Sequence, residues 1–66
     1  MSIERDLTAI IVDDEPIARR RLARLLAAIG GVQVVAEAGD VTDAVEAVRR
    51  HRPDLLLLDI DRKSVV

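Results

Sequence analysis

The amino-acid sequence predicts a small α/β domain built on a parallel sheet. Three short apolar runs of strand length alternate with two segments in which apolar residues recur at helical spacing. Turn-forming Gly, Pro and Asp residues stand at the changes of pattern. Strands that alternate with helices over short connections imply right-handed crossovers, which make neighbouring strands parallel.

The first strand and helix are predicted from a change, near residue 14, in the spacing of the apolar residues. Thr8–Val12 is β-branched and almost continuously apolar, which is typical of a strand buried on both faces. The helix that follows begins near Pro16, after Asp14 and Glu15, whose charges suit the positive end of a helix. Gly30-Gly31 marks its end.

The second strand and helix repeat this order. Val32–Ala38 is β-rich but more polar than the first run, as expected of a strand near a sheet edge. A second helical pattern follows, with Asp40 or Thr42 as its cap, and it stops before Pro53.

The third strand is predicted at Leu55–Asp59, an apolar run that ends in an aspartate. Because the second run is the most polar of the three, we place the first strand between the other two. The resulting order, 2-1-3 in a βαβαβ chain, is the beginning of the flavodoxin-like sheet. In this truncated sheet the third strand lies exposed at an edge, where it could pair with another chain and cause self-association.

Composition narrows the class of protein. The chain has 66 residues, no Cys and no aromatic residue, so it forms at most one domain, with a core of Leu, Ile, Val and Ala. No apolar run approaches the length of about 18 residues that spans a bilayer, and the sequence predicts a cytoplasmic protein without membrane attachment. The net charge of −2 gives no overall attraction to nucleic acid.

Three aspartates are predicted to converge at one edge of the sheet. Asp13 and Asp14 follow the first strand, and Asp59 ends the third. In open parallel sheets, ligands bind beyond the carboxyl ends of the strands where the strand order reverses, which here lies between strands one and three. Carboxylates without His or Cys favour a hard cation such as Mg²⁺, and Asp59 beside it is a candidate nucleophile for a phosphoryl group. The simpler interpretation is that Asp13 and Asp14 cap the helix and that Asp59 only terminates its strand.

These residues resemble a known family. Ile10–Pro16 reads Ile-Ile-Val-Asp-Asp-Glu-Pro and Pro53–Ile60 reads Pro-Asp-Leu-Leu-Leu-Leu-Asp-Ile. Together with the Arg/Leu-rich helix between them, they resemble the receiver domain of bacterial two-component response regulators. The stretch Asp13–Arg19 looks most like regulators whose receiver precedes a LytTR-type DNA-binding output domain.

The resemblance implies a role for each residue of the acidic site. Asp13, Asp14 and Asp59 would hold Mg²⁺. Asp59 would also accept a phosphoryl group from the phosphohistidine of a sensor histidine kinase. The backbone carbonyl of Asp61 would be a further metal ligand. After that position the family usually continues Met-Pro-Gly, where this chain has Arg62-Lys63-Ser64.

The resemblance covers about residues 7–60, the first half of such a domain, and leaves 61–66 as an atypical tail. We therefore expect residues 1–66 to be a partial receiver domain. The fourth-strand Ser or Thr and the fifth-strand Lys of the family have no counterpart here, and DNA contact would require an output domain that this chain lacks. The expected function is that of a non-enzymatic phosphoprotein.

Two alternatives stay open at this point. Leu55–Asp61 also resembles the strand and Asp-x-Asp motif of haloacid-dehalogenase-type phosphatases, in which Asp59 would be the nucleophile and Asp61 the acid/base. That interpretation leaves Asp13 and Asp14 unexplained. The other alternative is a truncated fragment without a function of its own.

The remaining polar residues are expected to have ordinary structural roles. The basic group of the first helix is predicted to form a solvated face, and His51 to be a cation near a helix C-terminus. Asp54 is predicted to be a turn residue and the Asp61 side chain a solvated loop residue. The basic group comprises Arg19, Arg20, Arg21 and Arg24.

Overall fold

The fold is a three-stranded parallel sheet with one helix on each face, seen in a computed structural model that describes residues 5–59. The elements follow the predicted βαβαβ order, and the strand order is 2-1-3, which confirms the predicted fold class. Their bounds are β1 Leu7–Asp13, α1 Pro16–Ile29, β2 Val32–Ala38, α2 Val41–His51 and β3 Leu55–Asp59.

The central strand β1 is the most deeply buried element. Ala9, Ile10 and Ile11 are fully buried and Val12 is 1% exposed. Because side chains alternate along a strand, Ile10 and Val12 point to one face, where they form a core with Ala38 and Ala44. The pattern of continuous apolar residues therefore predicted burial on both faces correctly.

The two glycines after α1 allow the chain to turn into β2. Gly30 and Gly31 have φ angles of 85° and 83°, which residues with a side chain rarely adopt. The Gly30 N–H donates to the Leu26 carbonyl, and the Leu7 N–H donates to the Gly31 carbonyl at 2.9 Å. The glycine pair thus ends the helix and joins the start of the sheet.

Helix α2 begins and ends with local hydrogen bonds. The Asp40 carboxylate accepts a hydrogen bond from the Asp43 N–H at 2.8 Å, so Asp40 is the cap and Thr42 is not. At the other end Arg49, Arg50 and His51 occupy the last turn, where cations are favourable. The expected position of His51 is confirmed.

Strand β3 pairs only with β1 among residues 5–59 and is therefore an edge strand there. Leu56 is 44% exposed and Leu58 is 62% exposed. Both line an apolar groove of about 460 Å³ with α2 residues such as Val41 and Val45. The composition of β3 is that of a buried strand, and β3 is exposed because it lies at the edge of the sheet.

Candidate functional site

The carboxyl ends of β1 and β3 bring three aspartates around one cavity. The strands are in register so that Asp13 lies opposite Asp59, and Asp14 follows directly after β1. All three residues line a cavity of about 180 Å³, together with Glu15 and Ala18 from the start of α1. The structure therefore places the predicted acidic residues together, although their sequence positions are far apart.

Asp13 is held more firmly than the other two. It is 5% exposed, and its Oδ1 accepts a hydrogen bond from the Glu15 N–H at 2.9 Å. Glu15 is the N-cap residue of α1 but makes no side-chain capping bond. Asp13 thus bonds the turn before this helix, as the simpler capping interpretation in part expected, whereas Asp14 makes no such bond within residues 5–59.

Asp14 and Asp59 have exposed side chains with no hydrogen bond to any residue in the range 5–59. Their carboxylates are therefore available to a ligand. Four acidic residues line the cavity without a Lys, Arg or His from the described chain. A cation would relieve the repulsion that this arrangement creates.

The donor set fits a hard divalent cation that keeps part of its water shell. Within residues 5–59, no three acidic or His side chains converge closely enough to form a complete metal cage. Mg²⁺ commonly binds through one or two carboxylates and retains waters or phosphate oxygens. An open pair of carboxylates with a third nearby agrees with that mode of binding.

The sequence also matches known proteins over most of its length. The family model of the response regulator receiver domain matches residues 9–64. The chain belongs to this family. The receiver-domain match includes β1 from Ala9 onward, all of β3 and every residue that lines the acidic cavity.

Three relatives illustrate the range of proteins with this domain. A protein-glutamate methylesterase/protein-glutamine glutaminase of Anaeromyxobacter dehalogenans is 42% identical over 57 residues, covering 86% of this chain and 16% of the relative. The transcriptional regulatory protein BtsR of Salmonella typhimurium is 43% identical over 59 residues, covering 89% and 25%. The transcriptional regulatory protein LytR of Staphylococcus aureus is 40% identical over 55 residues, covering 83% and 22%.

This receiver chain thus spans about a sixth to a quarter of the length of these relatives. Two of the three are transcriptional regulators, which agrees with the regulator class that the sequence predicted. Neither helix in residues 5–59 is long and apolar enough to cross a membrane. Asp61, whose carbonyl was expected to bind metal, lies outside the described residues.

Arg19 is the exception to the expected solvated basic face. Its Nη1 donates to the Asp13 carbonyl at 2.6 Å, and its Nε lies 3.3 Å from Glu37 Oε1. Its side chain is 20% exposed. Arg20, Arg21 and Arg24 are exposed as expected, so only Arg19 corrects that prediction.

Asp54 proves to be more than a turn residue. Its Oδ2 accepts hydrogen bonds from the Thr8 N–H at 2.8 Å and from the Thr8 hydroxyl at 3.2 Å, and both carboxylate oxygens contact Arg5. The Asp54 N–H donates to the Thr8 carbonyl at 2.9 Å. The sequence shows an aspartate directly before a strand, but its partners belong to the other end of the chain.

These contacts change the acidity of Asp54. The hydrogen bonds from Arg5 and from the Thr8 N–H hold the pKa of the Asp54 carboxyl well below its usual range. Asp54 is therefore ionised and fully occupied with donors at neutral pH. It lies at the opposite end of β3 from Asp59 and belongs to the structural frame of the sheet.

Proposed function

We propose that this chain is the phosphoacceptor part of a receiver domain and that Asp59 accepts the phosphoryl group. The observation that supports this most directly is the register of β1 and β3, which brings an exposed Asp59 beside Asp13 in one acidic cavity. The Asp59 side chain makes no hydrogen bond within residues 5–59, which leaves its carboxylate oxygens open to a phosphoryl group. The chain would act as a substrate of a kinase and not as an enzyme.

The proposed reaction is a transfer from nitrogen to oxygen. A carboxylate oxygen of Asp59 forms a bond to the phosphorus of a phosphohistidine while the phosphorus–nitrogen bond breaks. The electron pair of that bond returns to the imidazole, which takes up a proton from solvent if needed. The product is an acyl phosphate on Asp59, and the phosphodonor would be a sensor histidine kinase.

Asp13, Asp14 and Asp59 are the proposed side-chain ligands for Mg²⁺, with the Asp61 carbonyl as a further ligand. Such a cation would neutralise phosphoryl oxygens during transfer. Asp13 is suited to a fixed ligand because its Oδ1 is oriented by the Glu15 N–H, whereas Asp14 is free to adjust. The exposed Asp59 carboxylate would meet the phosphoryl group beside them.

The wider biological role is also part of the proposal. The chain would act in the cytoplasm as part of a two-component phosphorelay that regulates transcription. DNA would be contacted only through an output domain outside these residues, and residues 1–66 would represent the first portion of the receiver. The two transcriptional regulators among the relatives support this role.

The test is phosphorylation of the 66-residue chain by a small acyl-phosphate donor with Mg²⁺, followed by intact-mass spectrometry. We expect a mass increase of one phosphoryl group that Asp59→Asn abolishes. Asp54→Asn is the matched control, because it removes a carboxylate from the other end of β3 and should retain labelling. No adduct on the folded wild-type chain would contradict the proposal and favour a fragment without function.

The same experiment addresses the phosphatase alternative with Asp59 as nucleophile and Asp61 as acid/base. That alternative predicts continuous release of phosphate from a phosphomonoester, and Asp61→Asn would abolish the release. The receiver proposal predicts a single labelling event and no such turnover. The family match, which includes the Asp13-Asp14 pair that the phosphatase motif leaves unexplained, favours the receiver.

A second copy of this chain is proposed as a further partner, through the edge of β3. Leu55–Leu58 carries no charge, Pro or bulge of the kind that protects sheet edges. Antiparallel pairing centred on Leu57 would place Leu56 opposite Leu58 of the second copy and join the two apolar grooves. That register also keeps the two Asp59 carboxylates apart.

A further inference from the structure

Arg19 joins the acidic cavity to the rest of the sheet without lining the cavity itself. We infer that Arg19 is a positioning residue, which holds the Asp13–Glu15 turn so that the carboxylates of Asp13 and Asp14 face a shared cation. This inference rests on the proposed function, because it assigns Arg19 a role in the same metal site. Arg19 would act through the backbone of the turn, where it contacts the Asp13 carbonyl directly.

The Arg19 side chain makes a direct hydrogen bond to this turn. Its Nη1 donates to the Asp13 carbonyl at 2.6 Å, in addition to the ordinary helical bond from its backbone N–H to the Glu15 carbonyl at 3.1 Å. Asp13 Oδ1 in turn accepts from the Glu15 N–H. The three hydrogen bonds enclose Asp14, whose own side chain makes none within residues 5–59.

The Arg19 guanidinium is itself held in place. Its Nε contacts the Glu37 carboxylate at 3.3 Å. Glu37 belongs to β2, which pairs with the edge of β1 that faces away from β3. A Cβ atom at Gly39 would come within 3.3 Å of Arg19 Nη1. The missing side chain at Gly39 thus leaves room for the guanidinium, and Arg19 can transmit the position of β2 to the turn.

The charge of Arg19 and its hydrogen bonds have opposite effects on Mg²⁺ affinity. A cation near a metal site repels Mg²⁺, so the loss of positive charge alone would strengthen binding. Loss of a group that orients metal ligands weakens binding, usually by about 10–100-fold. The direction of change in an Arg19 variant therefore separates a positioning role from a purely electrostatic one.

The experiment is an Mg²⁺ titration of the ¹⁵N-labelled chain, with the amide signals of Asp14 and Glu15 as the readout. We expect Arg19→Ala to weaken Mg²⁺ binding by about tenfold and to shift both amide signals even without metal. Arg19→Lys should recover part of the affinity, because an ammonium group reaches one of the two acceptors. Arg20→Ala removes the same charge from an exposed neighbour and should change neither quantity.

Glu37→Gln provides a second variant if Arg19→Ala does not fold. It retains Arg19 and removes its carboxylate partner, so we expect a smaller loss of affinity in the same direction. Unchanged or tighter Mg²⁺ binding by folded Arg19→Ala would overturn the inference, as would unmoved Asp14 and Glu15 signals in its metal-free spectrum. Failure of the wild-type chain to bind Mg²⁺ at all would instead overturn the metal site of the proposed function.

Discussion

The two ends of the β1–β3 pair use aspartate for opposite purposes. At the start of the strands Asp54 accepts hydrogen bonds from Arg5 and Thr8 and locks the strands together. At the other end Asp13 and Asp59 lie opposite each other beside Asp14, whose carboxylate makes no hydrogen bond to the described residues. A carboxylate surrounded by donors stabilises the fold, whereas Asp13, with one donor, and Asp14 and Asp59, with none among residues 5–59, line a cavity that could hold a ligand.

The largest expected difference between the two ends is in Mg²⁺ affinity. Asp14→Asn should weaken Mg²⁺ binding by about tenfold or more, because it removes a full negative charge from the cavity. Asp54→Asn should leave the affinity unchanged, since Asp54 lies at the opposite end of β3. Isothermal titration calorimetry measures both variants, and an equal loss in the two would contradict the division of roles.

The exposed edge of β3 should respond strongly to charge. Leu58→Lys places a cation on an edge strand within the apolar groove, so we expect the dissociation constant of any self-associated species to rise by about tenfold or more. Sedimentation velocity over a range of concentrations measures this change. Arg20→Lys, on an exposed site of α1, is the control. A wild-type chain that stays monomeric at high concentration would contradict the proposed pairing.

Thermal stability should depend more on Asp54 than on Asp59, which is the reverse of the order expected for Mg²⁺ affinity. Asp54→Asn removes the ion pair with Arg5 and should lower the melting temperature by a few degrees. Asp59→Asn relieves like charges across β1 and β3 and should leave the melting temperature unchanged or slightly higher without Mg²⁺. Circular dichroism melts decide between these outcomes, and a larger loss in Asp59→Asn would reverse the assignment.

The smallest expected effect is the pH dependence of the Asp54 contacts. Because the hydrogen bond from Arg5 lowers the pKa of Asp54 in the folded chain, its contribution to stability is complete above the unfolded-state value of about 3.9. It is lost as the pH falls below that value toward the folded-state pKa. The stability advantage of the wild type over Asp54→Asn should therefore shrink between pH 5 and pH 2 in urea titrations.

A control carboxyl makes this pH prediction specific. Asp6 is exposed, and its side chain makes no hydrogen bond within residues 5–59. Asp6→Asn should follow the wild-type pH profile. If the difference between the wild type and Asp54→Asn stays constant down to pH 2, the Arg5 contact does not stabilise the fold through the charge of Asp54.

The sequence predicted which aspartates meet at the acidic site, but it did not predict the contacts that support them. Asp13, Asp14 and Asp59 stand at strand ends, and the parallel order of the strands brings such positions to one edge. The role of Arg19 could not be read in the same way, because Arg19, Arg20 and Arg21 are identical neighbours in the chain. Only the packing of α1 against β1 and β2 determines that Arg19 is the arginine that contacts Asp13 and Glu37.

The amino-acid sequence by itself determined the five elements and the parallel 2-1-3 sheet. Local period, caps and turn residues specify each element, and short crossovers specify how the strands pair. The predicted 2-1-3 order also implied a buried β1 beside a β3 exposed at the sheet edge, and the structure confirms both. Only the tertiary structure decided that the Asp54 side chain is hydrogen-bonded while the Asp59 side chain has no hydrogen bond within residues 5–59, because hydrogen bonding depends on neighbours that are distant in the chain.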